Sequence, residues 1–169
     1  MDLGEHIGQI TDCGGADESV VRPMRAPAPD PYGRPMTLDD ATAQDLSERL
    51  ADVFRTTKVS DVLADDVFLD GHPPFWRFQV QGRDNFAAWY VSFAPEGVDT
   101  TVVRTVPTAT GFVTEFTGRH TSDGEEITDR KILLCEVSDG RISELTVYCS
   151  GDWNAELRAR HAAETTLIR

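Results

Sequence analysis

The sequence predicts an α+β fold in which a strongly curved antiparallel sheet wraps around helices that precede it. Three observations carry this expectation. Helical periodicity comes early, at Leu46, Leu50, Val53 and Phe54 and again at Phe86, Trp89, Tyr90 and Phe93. From Val98 onward the chain turns to β-branched and aromatic runs. Two Asp-Gly pairs, Asp123-Gly124 and Asp139-Gly140, separate those runs, and glycine accepts the positive φ that tight hairpin turns need. Helices followed by consecutive hairpins imply a meander curled over the helices.

Residues 1–36 carry glycine pairs, acidic residues and the prolines Pro23, Pro27, Pro29, Pro31 and Pro35, with no apolar periodicity. Such a segment buries too little apolar area to offset its ordering entropy, so a flexible arm is expected ahead of one folded domain spanning 37–169. Thr37 with Asp40 three residues on resembles a capping box and opens the first helix. Ser60 caps a short helical turn through Leu63; Val67–His72 reads as a strand stopped by Pro73-Pro74, and Trp76–Gln81 as a short second strand. Asp84 opens the second helix, which closes near Pro95-Glu96-Gly97. Val98–Val106, Gly111–His120, Ile127–Val137 and Arg141–Cys149 follow as four strands. A final helix runs from about Trp153 to Ala163, with Asp152 as an acid favourable to its dipole.

At 169 residues, the chain fits one domain able to bury a core without disulfide or metal staples. Its net charge of -13 repels phosphate backbones and anionic lipid, so neither nucleic acid nor membrane is an expected partner. No long apolar run and no export signal are visible, which makes a cytoplasmic location the default. Cys13, Cys135 and Cys149 lack the C-x-x-C spacing of a zinc site, and no His-x-His or Glu-x-x-His pair suggests another metal. No glycine-rich phosphate cradle or nucleophile elbow is present, and no cofactor is predicted.

The run Phe75-Trp-Arg-Phe-Gln-Val-Gln-Gly-Arg-Asp84 entering a helix, and Asp139-Gly-Arg-Ile142 followed six residues later by Tyr148, resemble the SnoaL-like branch of the NTF2-like superfamily over about residues 38–160. That resemblance implies a cone with a pocket in its mouth, frequently paired as a homodimer through the outer sheet face. It also implies the activity range of ketosteroid isomerase, scytalone dehydratase, limonene epoxide hydrolase and SnoaL-type polyketide cyclases. Many such relatives carry an aspartate two residues after the tyrosine, whereas this chain has Ser150 there and delays its acid to Asp152.

Cofactor-free chemistry in such a pocket needs a carboxylate or imidazole to move a proton and donors to stabilise the resulting oxyanion. Asp70 and His72 share a strand face and can form an acid/base pair, or simply end a solvated strand. His120 aligns with Phe112, Thr114 and Phe116 and faces a pocket if they do, or else lies exposed beside the Ser122-Asp123-Gly124 turn; Glu115 and Arg119 share the other face. Arg130 aligns with Thr128, Ile132 and Leu134 as a carboxylate clamp or a surface ion-pair partner. Tyr148 aligns with Ile142, Glu144, Thr146 and Ser150, on the face that the resemblance turns toward the cavity. The expected catalytic set is therefore Asp70, His72, His120, Arg130 and Tyr148, with Trp76, Phe112, Glu115, Phe116 and Trp153 as pocket wall.

The expected function is binding of a small apolar, oxygenated metabolite such as a polyketide or terpenoid, with isomerase, cyclase or dehydratase chemistry. A non-catalytic ligand carrier or accessory subunit is the alternative. Epoxide hydrolysis is a further one, which needs an arginine between two carboxylates to activate water.

Overall fold

Both hairpin turns adopt the conformation that their Asp-Gly pairs foreshadow. Asp123 and Gly124 take φ of 52° and 79°, and Asp139 and Gly140 take 52° and 74°, so the two central residues of each turn are left-handed and the turn follows the twist of its strands. The computed structural model describes residues 38–94 and 96–167. Its elements are α1 (Asp40–Thr56), β1 (Leu63–His72), β2 (Phe78–Gln81), α2 (Arg83–Phe93), β3 (Asp99–Pro107), β4 (Gly111–Ser122), β5 (Glu125–Ser138), β6 (Arg141–Cys149) and α3 (Ala155–Glu164). The strands form one sheet in the order β2-β1-β6-β5-β4-β3. β1 runs parallel to β6, and every other neighbouring pair is antiparallel.

Several boundaries differ from expectation for identifiable reasons. The capping role expected of Thr37, like the arm expected over 1–36, lies outside the described residues; the observed cap of α1 is Asp39, whose carboxylate accepts from the Thr42 amide at 2.9 Å. Ser60 makes a tight turn instead of a helical one, with its hydroxyl accepting from the Val62 amide at 3.3 Å, and β1 starts directly at Leu63. β2 starts at Phe78, because the Trp76 amide closes a turn onto the Pro73 carbonyl at 3.2 Å and Phe75 takes a φ of 65°. α3 is capped by Asn154, which accepts from the Leu157 amide at 2.8 Å, so Asp152 lies ahead of the helix instead of in its first turn. Among the described residues no helix is long and apolar enough to cross a membrane.

The core lies between α1, α2 and one face of the sheet. α1 buries Leu46, Leu50, Val53 and Phe54, the stripe its spacing dictates, and each fully buried side chain of this kind contributes about 1.5–3 kcal/mol. Phe54 meets Phe116 edge-on at 6.0 Å and Tyr90 at 5.1 Å. The Ser47 and Thr114 hydroxyls share a buried hydrogen bond of 2.7 Å, and the Tyr90 hydroxyl donates to the Phe54 carbonyl at 2.9 Å.

Two glycines separate backbone strain from steric exclusion. A side chain at Gly140 would meet nothing within 4 Å, so Gly140→Ala should lose only the left-handed penalty of about 1–2 kcal/mol. At Gly111, where φ is not left-handed, a Cβ would collide with the Cys135 carbonyl oxygen. Gly111→Ala should therefore lower the urea midpoint further than Gly140→Ala; equal shifts would refute the steric account.

Candidate functional site

Side chains alternate between the two faces of a strand, and directly opposed residues of neighbouring strands share a face. The contacts of α1 with Thr114 and Phe116 therefore define an inner face across the whole sheet. Thr114 stands opposite Leu133, Leu133 opposite Val147, Val147 opposite Gly71, and Gly71 opposite Phe78.

Of the residues expected to form the site, Phe112, Phe116 and His120 face inward. Phe112 and Phe116 are filled core positions, each 1 % exposed, and pack against other side chains instead of walling a cavity. Asp70, His72, Glu115, Arg130 and Tyr148 lie on the outer face, which corrects the expectation that they line the inside of a cone. For Tyr148 the cause is a bulge: Glu136 pairs with Glu144 and Val137 with Ile142, so the extra residue Ser143 reverses the alternation. Ile142 is thus fully buried while Tyr148 is 50 % exposed. Trp76 sits in the exposed loop between β1 and β2. Trp153 bridges to Thr128, which also places it on the outer side.

The outer residues do converge. The Arg77 guanidinium donates to both Asp70 carboxylate oxygens, at 2.9 and 2.8 Å, and these hydrogen bonds hold the Asp70 carboxyl below its usual value. His72 Nε2 lies 3.3 Å from Asp70 Oδ1, and its ring stacks on Tyr148 with centroids 4.8 Å apart. Glu115 pairs with Arg130 and, at 3.5 Å, with Arg104.

A second polar cluster, at residues the sequence reading did not single out, occupies the inner face where β4 ends and β5 begins. Asp129 stands opposite Gly118, Lys131 opposite Phe116 and Cys149, and His120 opposite Ile127. The Asp129 and Lys131 side chains form an ion pair and are only 4 % and 17 % exposed. A Cβ at Gly118 would lie 2.7 Å from the Asp129 carboxylate and 2.9 Å from Val98; the missing side chain is what makes room for the acid. His120 Nδ1 is buried and has no hydrogen-bond partner among the described residues. Burial pushes the Cys149 thiol above its usual value, against the opposing pull of Lys131, and burial, helped by the charge of Asp129, raises the Tyr90 phenol. Phe78, Trp89 and Phe93 extend along the α2 side, with ring centroids 4.7 Å apart for Phe78 and Trp89 and 6.0 Å for Trp89 and Phe93.

The signal for Asp129 and Lys131 was their alternation with Leu133 and Cys135. It was masked because Ile132 and Leu134 make the other face of β5 equally apolar.

No family model matches the sequence, and no curated protein does. Solved structures match in shape. A protein from Anabaena variabilis described as NTF2-like superposes with a TM-score of 0.57 at 15 % identity, covering 69 % of this chain and 96 % of its own. An LEH-like epoxide hydrolase from M. tuberculosis gives 0.54 at 17 % identity over 65 % of this chain and 84 % of its own. A protein of ketosteroid isomerase-like fold from Catenulispora acidiphila, in complex with trimethylamine, gives 0.55 at 14 % identity over 62 % and 84 %. The chain has the NTF2-like fold.

Because the folded Asp70 carboxyl titrates below its usual value of 3.8, its contribution is present above that value and lost as pH falls through the lowered one. Asp70→Asn should reduce stability at neutral pH and approach wild type in strong acid, read as urea midpoints. A deficit that stays constant with pH would refute the Arg77 linkage.

Proposed function

We propose that this chain binds a small, apolar, oxygenated molecule at the inner rim of its sheet and moves a proton on it without a cofactor, as an isomerase, cyclase or dehydratase does. The observation that carries this reading is the Asp129–Lys131 pair, sunk beside Gly118 and flanked by the unpartnered His120 Nδ1. A buried ion pair contributes less stability than apolar packing of the same volume, and charged groups in such settings are candidates for chemistry.

In this reading the Lys131 ammonium donates to a substrate oxygen while the Asp129 carboxylate takes a proton from the adjacent carbon. Negative charge then moves onto the oxygen, where the ammonium stabilises it. Return of the proton to another carbon isomerises the substrate; in one that carries a hydroxyl β to the carbonyl, the carbonyl re-forms as that hydroxyl takes the proton from Asp129 and leaves as water, which dehydrates it. Phe78, Trp89 and Phe93 supply apolar surface for the rest of the molecule, and His120 a further polar contact. Tyr90 is structural, its hydroxyl committed to the Phe54 carbonyl. The raised Cys149 thiol stays protonated at neutral pH, which favours acid/base over thiolate chemistry.

A non-catalytic carrier is the second reading: the partly exposed aromatic run of Phe78, Trp89 and Phe93 can hold an apolar body without any proton transfer. Epoxide hydrolysis at Arg130 has the ratio reversed: one carboxylate, Glu115, sits between two arginines. The exposed Val103, Val106, Ile132 and Leu134 form an outer apolar patch that fits a homodimer.

The test is deuterium uptake from D2O beside the carbonyl of a panel of cyclic ketones, followed by NMR. Asp129→Asn should slow exchange by about 10²–10⁴-fold, whereas His72→Ala, altered on the opposite face, should leave it unchanged. Wild-type exchange in Asp129→Asn would overturn the catalytic assignment. Binding of the ketones without exchange would establish the carrier.

A further inference from the structure

A shallow concavity lies on the outer face, where none of the chemistry proposed above takes place. It is a groove of about 480 Å³ lined by Asp99, Thr101, Thr117, Arg119, Thr128, Arg130, Ser150 and Trp153, with Gly118 and Asp129 contributing to its floor. That volume falls in the range of small-molecule sites, roughly 300–1,000 Å³.

Register explains why these residues converge. Thr101 pairs with Thr117 and Thr117 with Arg130; Arg119 pairs with Thr128, and Thr128 with Trp153. Arg119 and Arg130 are thus diagonal neighbours, whose backbones lie roughly 7–8 Å apart, close enough for two long guanidinium side chains to meet on one anion. Both have donors to spare. Arg130 engages Glu115 through Nε alone, and Arg119 has only a distant ion pair of 3.9 Å with Glu126. The Thr101 and Thr117 hydroxyls make no hydrogen bond within the described residues. Trp153 closes one end, its indole N–H donating to the Ser150 carbonyl at 3.3 Å, which leaves its ring as an apolar wall.

Charge in the groove is balanced locally. Arg119 and Arg130 line it together with Asp99, while the Asp129 carboxylate points through to the inner face, so in a chain of net charge -13 two guanidiniums stand here with donors free for an anion.

We propose that this groove binds a small organic carboxylate with a flat apolar body. The carboxylate is gripped by the Arg119 and Arg130 guanidiniums, which match its planar geometry two-pronged; the Thr101 and Thr117 hydroxyls donate to it, and the body lies along Trp153.

The probe is 2-naphthoate, with 2-naphthol and inorganic phosphate as parallel arms, titrated into the full chain while amide and indole N–H shifts are followed by NMR. Saturable shifts at Thr117, Arg119, Thr128 and the Trp153 indole are expected for naphthoate, and at least tenfold weaker binding for naphthol. The double substitution Arg119→Gln, Arg130→Gln should weaken naphthoate at least tenfold, and Trp153→Leu should weaken naphthoate while sparing phosphate. Phosphate binding as tightly as naphthoate would overturn the role of the flat body. Absence of saturation, unchanged binding in the arginine variant, or shifts that track protein concentration instead of ligand would overturn the site. The last outcome would mean that a second copy covers this face.

Discussion

The contact between α1 and the inner face of β4 sets the side of the sheet on which every later side chain falls. Ser47 and Thr114 share their hydrogen bond in the core, and Phe54 lies edge-on to Phe116. Because strand side chains alternate with a period of two, a slip of one residue would send all of them to the opposite face. Once Thr114 faces α1, cross-strand pairing carries the assignment through Leu133, Val147 and Gly71 to Phe78. A buried hydroxyl pair suits this role better than another apolar contact, since a slipped register would leave a polar group unpaired in the core, a loss of about 1–3 kcal/mol.

The elements were readable in the sequence because their signals are local. Asp123-Gly124 and Asp139-Gly140 announce their turns, and Phe86, Trp89, Tyr90 and Phe93 announce α2, without reference to anything distant. The facing of the strands was not readable to the same extent. Bulges at Ser143 and near Val103 each reset the alternation, and no residue type marks them. On β4 the alternation survives unbroken from Phe112 to His120, so spacing alone puts His120 on the face of Phe112 and Phe116. On β6 the inward Ile142 and the outward Tyr148 have equal parity in the sequence, and only the extra residue between them tells them apart.

The same facing divides the chemistry. On the outer face, carboxylates are neutralised by arginines that solvent already screens: Arg77 is 61 % exposed and Arg130 60 %. The carboxylates themselves are mostly covered, Asp70 being 15 % and Glu115 13 % exposed, so in each pair the arginine is the partner free to turn toward solvent. Such surfaces suit recognition, in which an incoming anion competes with water for the outer donors of a guanidinium. The inner pair has no such freedom.

Asp129 and Lys131 are two residues apart on one strand, so the pleat itself points both to the same side, and the backbone of β5 is hydrogen-bonded to β4 and β6 on either flank. Neither group can leave without uncovering a buried charge, which costs several kcal/mol. A side chain held on an interior strand keeps its direction, whereas one on a loop must be ordered each time it is used. Gly118 extends this restraint: in giving up its own side chain it leaves a slot in β4 only as large as the carboxylate facing it. The slot is thus filled by the acid it was left for, and the ladders of β5 with β4 and β6 hold both sides of that fit in register.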